Sequence, residues 1–414
     1  MSPLLTLALV AALPKGCAGL EPAQRAALAD ETDPGSLWSL AVSGPASGTQ
    51  TLVERFRDAD GVEAAVVAAA LGLSRRADAL RALQALPRGD SEARRFGIAL
   101  GRLALGDNSI SSTVAATLAE GPVELRRIGA RALAFMPAVR ARQLSYKLLD
   151  DPDDGVRVAI AEIHLRRASV RARRALEELA YGPLGAEAVR AMLRYELRFA
   201  TQAIPRLPSE VRAEATVRAV DRGASELSLL GQSDPQIRAG AFAGAARERD
   251  MKLTTLAAIG RRNAAHFPEA KGEAAMTLLL AGDADPTGLP ELDAAGIEGA
   301  IRVLTAFARP PLPALGPAEV KELVAAVEAW ASAGHLTPDG RSRVLEALAR
   351  LDPRAGVDLA RAGLEAPESA AAAASVLAEA GTRADVGALL ASAGAHQGWA
   401  RAEALRAAAE ICER

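Results

Sequence analysis

The chain has 414 residues, half of them hydrophobic but only 3% aromatic, and a net charge of −2. That balance selects neither an acidic nor a basic partner, and two cysteines, Cys17 and Cys412, cannot supply a disulfide framework. The apolar mass is alanine, leucine, valine and isoleucine, which points to an all-α protein with thin, closely packed layers.

Pro3 to Leu13 is apolar except for Thr6. Eleven residues are too few to span a bilayer and suit the apolar core of a signal peptide. Gly16 and Ala18 supply small residues before a cut preceding Gly19, although no Lys or Arg precedes Pro3 and Lys15 sits close to the cut. Residues 1–18 are therefore read as a signal peptide, which makes the mature chain periplasmic or otherwise exported. The alternatives are a lipidated Cys17 and a retained first helix in a cytoplasmic protein. No later stretch is long and apolar enough for a transmembrane span.

Residues 19–48, with turn signals at Asp33-Pro34-Gly35 and Ser43-Gly44-Pro45, read as an irregular N-terminal cap. Paired helices follow over 49–309. Glu92-Ala-Arg-Arg-Phe-Gly97 returns 32 positions later as Glu124-Leu-Arg-Arg-Ile-Gly129, and Leu125-Arg126 returns 31 positions later as Val156-Arg157. A fixed period of this length signals stacked supersecondary units. The second helices of successive pairs are predicted to start near Val62, Glu92, Glu124, Val156, Glu187, Glu210 and Gln236.

Asp-Pro pairs at 33, 151, 234, 285 and 352 mark helix starts, as do Gly316-Pro317 and Ala366-Pro367. Aspartate accepts from free helix N–H groups, and proline loses nothing at the first helical position. Arg309-Pro-Pro-Leu-Pro-Ala-Leu-Gly-Pro317 cannot continue a helix. Residues 310–317 are read as a connector to a shorter C-terminal array over 318–414. If a dozen layers stack about 10 Å apart, the chain ends lie roughly 100 Å from each other. A bridge between Cys17 and Cys412 is then not expected unless the array curls closed.

Leu148-Leu-Asp-Asp-Pro-Asp-Asp-Gly-Val-Arg-Val-Ala-Ile-Ala-Glu162 resembles the short HEAT-like repeat of phycobilisome-lyase proteins, and Leu229 to Phe242 is similar to the same unit. The resemblance implies an armadillo-like, right-handed α-solenoid of stacked antiparallel helical hairpins, about 30 residues per repeat. It says almost nothing of function, because such arrays serve unrelated roles.

Chemistry-bearing patterns are sparse. The histidines, His164, His266, His335 and His396, lie far apart and form no His-Glu pair of the kind that helical-repeat hydroxylases use for iron. Asp283 to Asp293 resembles a calcium loop, but its twelfth position is Ala294 and two prolines disturb it. No catalytic, cofactor or metal residue is assigned. The remaining candidate is a series near the starts of second helices: Arg94, Arg126, Arg157, Arg212 and Arg238. Stacking would align these as a partner-binding strip, or each arginine pairs with a neighbouring acid. Residues 121–223 carry 19 basic and 13 acidic side chains, and 268–414 carry 13 and 21.

The expected function is a monomeric, non-catalytic scaffold that binds a protein. The alternatives are an anion- or nucleic-acid-binding array using the arginine-rich middle segment, and a helical-repeat lyase or protein-modifying enzyme. Nucleic acid is not the expected partner, since the three tryptophans lie outside the basic stretch and stacking aromatics are scarce.

Overall fold

The computed structural model describes residues 17–414 except 46, 88, 167, 168, 196, 198, 222–225, 249–251, 283–287 and 311. Residues 1–16 of the signal-peptide reading and the first half of the calcium-loop reading fall outside those described, whereas Cys17 and Ala18 are described and open a 3-10 turn over Cys17–Gly19. All regular structure among the described residues is helical. No helix there is long and apolar enough to cross a membrane.

The first eleven α-helices are α1 (Leu20–Asp30), α2 (Pro34–Ser43), α3 (Gly48–Asp58), α4 (Gly61–Leu73), α5 (Ala79–Ala85), α6 (Glu92–Ala104), α7 (Ser111–Glu120), α8 (Val123–Leu133), α9 (Ala138–Ser145), α10 (Asp154–Leu165) and α11 (Val170–Leu179). Next come α12 (Gly185–Arg194), α13 (Ser209–Val220), α14 (Glu226–Leu230), α15 (Pro235–Glu248), α16 (Leu253–Ala264), α17 (Ala270–Leu280) and α18 (Ala294–Phe307). The last are α19 (Pro317–Ser332), α20 (Pro338–Leu351), α21 (Val357–Gly363), α22 (Pro367–Ala380), α23 (Val386–Ala395) and α24 (Gly398–Glu413). The seven second-helix starts read from the sequence each lie within two residues of an observed start.

Local chemistry explains several of these boundaries. Asp33 accepts from the Ser36 N–H at 2.8 Å, with Pro34 at the first position of α2. Asp234 accepts from the N–H groups of Gln236 and Ile237 at 2.9 and 3.2 Å. Asp352 caps a short 3-10 turn over Pro353–Gly356. Asp151 departs from the pattern: the cap of α10 is Asp153, which accepts from Val156 N–H at 3.0 Å. Asp285-Pro286 lies outside the described residues. The stretch read as an irregular cap contains the regular helices α1 and α2.

The helices gather into two compact units, one of residues up to 179 plus 382–414, the other of 180–381. Residues 310–317, read as a connector, lie inside the second unit between α18 and α19.

The first unit is built around α4, in which every residue from Ala64 to Leu73 is buried. Helices α2, α3, α5, α6 and α8 all pack on it. A helix apolar all round needs cover on every side, and small residues permit it. A Cβ on Gly72 would stand 2.1 Å from the Gly101 carbonyl oxygen, and one on Gly97 would stand 2.5 Å from Ala65 Cα. The α4–α6 contact is therefore backbone against backbone.

The hairpin α23–α24 occupies the place of a repeat preceding α1–α2: α24 packs on α2 and α1, and α23 packs on α1. Arg401 donates to the Asp30 carboxylate at 2.5 Å, and the Gly398 N–H donates to Glu31 at 3.0 Å. Gly398 has φ +61°, which lets the chain turn sharply into α24. Cys17 and Cys412 are bonded, with Cα atoms 5.8 Å apart. The expectation that these residues stay unbridged is thus corrected. It assumed that the last helices continue away from the first, whereas α23 and α24 return to cover them.

The second unit is built around α15, where Ile237 to Ala246 are all buried. Helices α13, α14, α17 and α18 surround it. Trp330, fully buried on α19, donates its indole N–H to the Leu289 carbonyl at 2.9 Å.

Candidate functional site

The five arginines of the series are placed by two different units and are best taken one unit at a time. In the first, Arg94 on α6 donates to the carbonyls of Arg57 and Ala59 at the end of α3, and its guanidinium lies 5.0 Å from the Phe56 ring centroid. Carbonyls at a helix C-terminus lack intrahelical donors and carry partial negative charge, so a guanidinium suits them. Arg126 on α8 grips Asp151 with two N–H groups at 3.0 and 3.1 Å and donates to the Gly121 carbonyl at 2.7 Å. Arg157 on α10 bonds Asp154 at 2.5 Å, and its Nε has no hydrogen-bond partner among the described residues. Arg126 and Arg157 thus meet at the loop 151–154, while Arg94 stands apart from it. Arg127, not in the series, holds Asp153 at 2.6 Å and draws its carboxyl below the usual range.

In the second unit Arg212 on α13 donates to the Leu207 carbonyl at 2.7 Å and to Asp234 at 2.6 Å. Asp234 caps α15, so this arginine clips α13 to the next helix start. Arg238, one turn into α15, is fully buried. Its Nε and Nη2 grip Glu273 at 2.5 and 3.0 Å, and Nη2 also reaches Glu269 at 2.7 Å. Its Nη1 donates to the Gln232 carbonyl at 2.9 Å, and Phe267 lies 4.2 Å from its carbon. Burial works against the Arg238 charge, but the bonds to Glu273 and Glu269 outweigh it and raise its pKa. Burial pushes the Glu273 carboxyl up against the pull of Arg238.

A recurring geometry emerges. Arg126, Arg212 and Arg238 each bond a carbonyl in the loop just before their own helix and a carboxylate further along the chain. One planar group with five donors can satisfy both demands at once. The arrangement joins neighbouring hairpins, and an added anion would compete with these partners.

His164 on α10 is buried with Nε2 2.9 Å from the Ser145 hydroxyl. Burial, and then the Arg142 charge, lower its pKa. Ser145 is fully buried as well. A serine–histidine pair needs an exposed nucleophile and oxyanion donors to act on a substrate, and a shut-in pair meets only the first bonding condition.

Tyr146 lies beyond this pair, half exposed, edge-on to His164 at 5.7 Å and under the Arg171 guanidinium at 4.8 Å. Nothing in the spacing of the histidines marked this cluster. A tyrosine within an arginine-rich stretch is its only sequence signal.

An open groove of about 400 Å³ lies between α1, α3 and α4, lined by Thr51, Glu54, Arg55, Asp58 and Glu63. Arg55 bonds Glu63 at 3.0 Å and the Leu28 carbonyl at 3.1 Å. Among the described residues no three His, Cys, Asp or Glu side chains converge as metal ligands would. In comparisons with known proteins, no family model matches the chain and no curated protein matches it.

Proposed function

We propose that the protein is a non-catalytic scaffold that binds another protein. In this reading its helical pairs are HEAT-like hairpins of about 30 residues, stacked in the manner of a right-handed α-solenoid. One contrast carries the reading. Interior polar groups are tied up, Arg238 with Glu273 and His164 with Ser145, while large apolar side chains including Val139, Tyr146, Val170 and Trp399 face solvent. Polar groups spent internally favour structure over chemistry, and exposed apolar groups favour a partner.

An anion-binding role for Arg94, Arg126, Arg157, Arg212 and Arg238 is the weaker reading, since a phosphate would have to displace carbonyls and carboxylates already bonded. An exported location is supported by the Cys17–Cys412 bond, because disulfides persist in oxidising compartments. The expected cut preceding Gly19 would remove Cys17 and the bond with it, so in this reading any leader is removed upstream of Cys17, and Cys17, its sulfur held in the bond, carries no lipid.

The test is affinity purification of the protein from its native cells, followed by size-exclusion chromatography with mass determination. A protein partner co-eluting at fixed stoichiometry is expected. Elution of the chain alone under gentle conditions would overturn the reading.

A further inference from the structure

Four large apolar side chains of the first unit stand in solvent: Phe135, Val139, Tyr146 and Val170 are 39%, 56%, 52% and 81% exposed. Their neighbourhood follows from bonded contacts. Val139, Arg142 and Tyr146 fall at i, i+3 and i+7, one face of α9 continuing into the turn that follows it. Arg171, stacked on Tyr146, brings the start of α11 and its Val170 beside that face. Phe135, just before α9, sits edge-on to the buried Trp38 at 5.8 Å. Its carbonyl accepts from Arg75 at 3.1 Å. Arg75 holds φ +53°, a conformation that costs a non-glycine residue about 1 kcal/mol or more.

The rim of this strip is basic. From Arg131 to Asp150 the sequence holds Arg131, Arg140, Arg142 and Lys147 against the single acid Asp150, which bonds Arg171. A lone exposed valine needs no explanation, but an aligned apolar row within a cationic border does.

We propose that the Phe135–Val139–Tyr146–Val170 strip is a docking surface for an acidic amphipathic helix of a partner protein. This rests on the scaffold reading given above and names its surface. From Val139 to Tyr146 the row runs about 10 Å, the span of two helical turns. That matches apolar anchors at i, i+3 or i+4, and i+7 on a partner helix. Aspartates and glutamates flanking those anchors would meet Arg75, Arg142 and Lys147. A bilayer fits less well, since Glu177 and Glu178 pair with Arg173 and Arg174 along α11 and neutralise the positive charge beyond Val170.

The test uses the full-length, oxidised protein and fluorescein-labelled synthetic helical peptides read by anisotropy. One peptide carries a leucine stripe with glutamate flanks, a second the same stripe with lysine flanks, and a third glutamate flanks with alanine in the stripe. Binding of the first is expected to weaken at least about tenfold for Val139→Glu and Val170→Glu, and to weaken as salt rises from roughly 50 to 300 mM. Both positions are exposed, so these variants are expected to fold, which circular dichroism checks. Equal binding of the lysine-flanked or alanine-stripe peptide, no binding of any peptide, or indifference to both substitutions would overturn the proposal. So would binding to phosphatidylglycerol vesicles in place of peptide. If the native partner still co-purifies with the Val139→Glu, Val170→Glu double variant, the strip is wrong and the scaffold stands. If the wild type brings no partner, the scaffold itself falls.

Discussion

Removing the Glu273 carboxylate should expose how the second unit is held together. Arg238 has no exposed surface, and Glu273 supplies two of its hydrogen bonds from an equally buried position. In Glu273→Ala the guanidinium keeps Glu269 and the Gln232 carbonyl but faces an empty site where its main counter-charge stood. Breaking a buried pair from one side costs about 3–5 kcal/mol, and the surviving Glu269 contact places this case near 3. Hydrogen exchange of α15 amides, followed by mass spectrometry, should then accelerate by about two orders of magnitude if the helix exchanges through opening of the unit. The double variant Arg238→Met, Glu273→Leu removes both charges and fills the space, so its loss should be about 1 kcal/mol or less. Two results would refute the reasoning: a single variant costing under about 1 kcal/mol, or a double variant as damaged as the single one.

Further expectations follow from the first unit. Cys412→Ser, or reduction of the bond, should cost about 2–4 kcal/mol and raise exchange in α23 and α24 while peptides of α15 to α18 stay unchanged; equal protection in α24 with and without reductant would contradict this. Gly72→Ala should cost about 1–3 kcal/mol, seen as a lower Tm, because the new Cβ meets the Gly101 backbone; an unchanged Tm would refute the close contact. His164 resists protonation in the folded state, so the unfolded chain binds a proton first once the pH falls below about 6.5. Stability is therefore complete above that value and is lost as the pH drops through the lowered folded pKa. In urea titrations from pH 7.5 to roughly 5, His164→Gln should show a shallower loss than the wild type. Parallel curves would show that His164, facing Ser145, Tyr146 and Arg142, is not the titrating group.

Helix starts were legible in the sequence because capping is local: Asp33, Asp234 and Gly316-Pro317 need only their next three residues. Asp151 misled for the same reason, since its partner Arg126 lies 25 residues away and leaves the cap to Asp153. The buried centre of the first unit was also written locally. Ala64 to Leu73 contains no polar side chain, which is the mark of a helix covered on all sides. Arg238 concealed the corresponding centre of the second unit, because a charged residue reads as solvent-facing unless its carboxylates, 31 and 35 residues on, are known. Closure of the last hairpin onto the first was not legible at all. Asp30–Arg401 and Cys17–Cys412 join residues 371 and 395 apart, and no periodicity reports such a distance. The arginine series was visible as a pattern, while its carbonyl and carboxylate partners came only with the fold.

The most direct test of the scaffold account is a photo-crosslinking amino acid placed at position 139 in native cells, with a second placed at the exposed position 328 on α19 as a control. The account expects a discrete protein adduct at 139 that is absent at 328 and suppressed by Val170→Glu. No protein adduct at 139, or the same adducts at both positions, would contradict it.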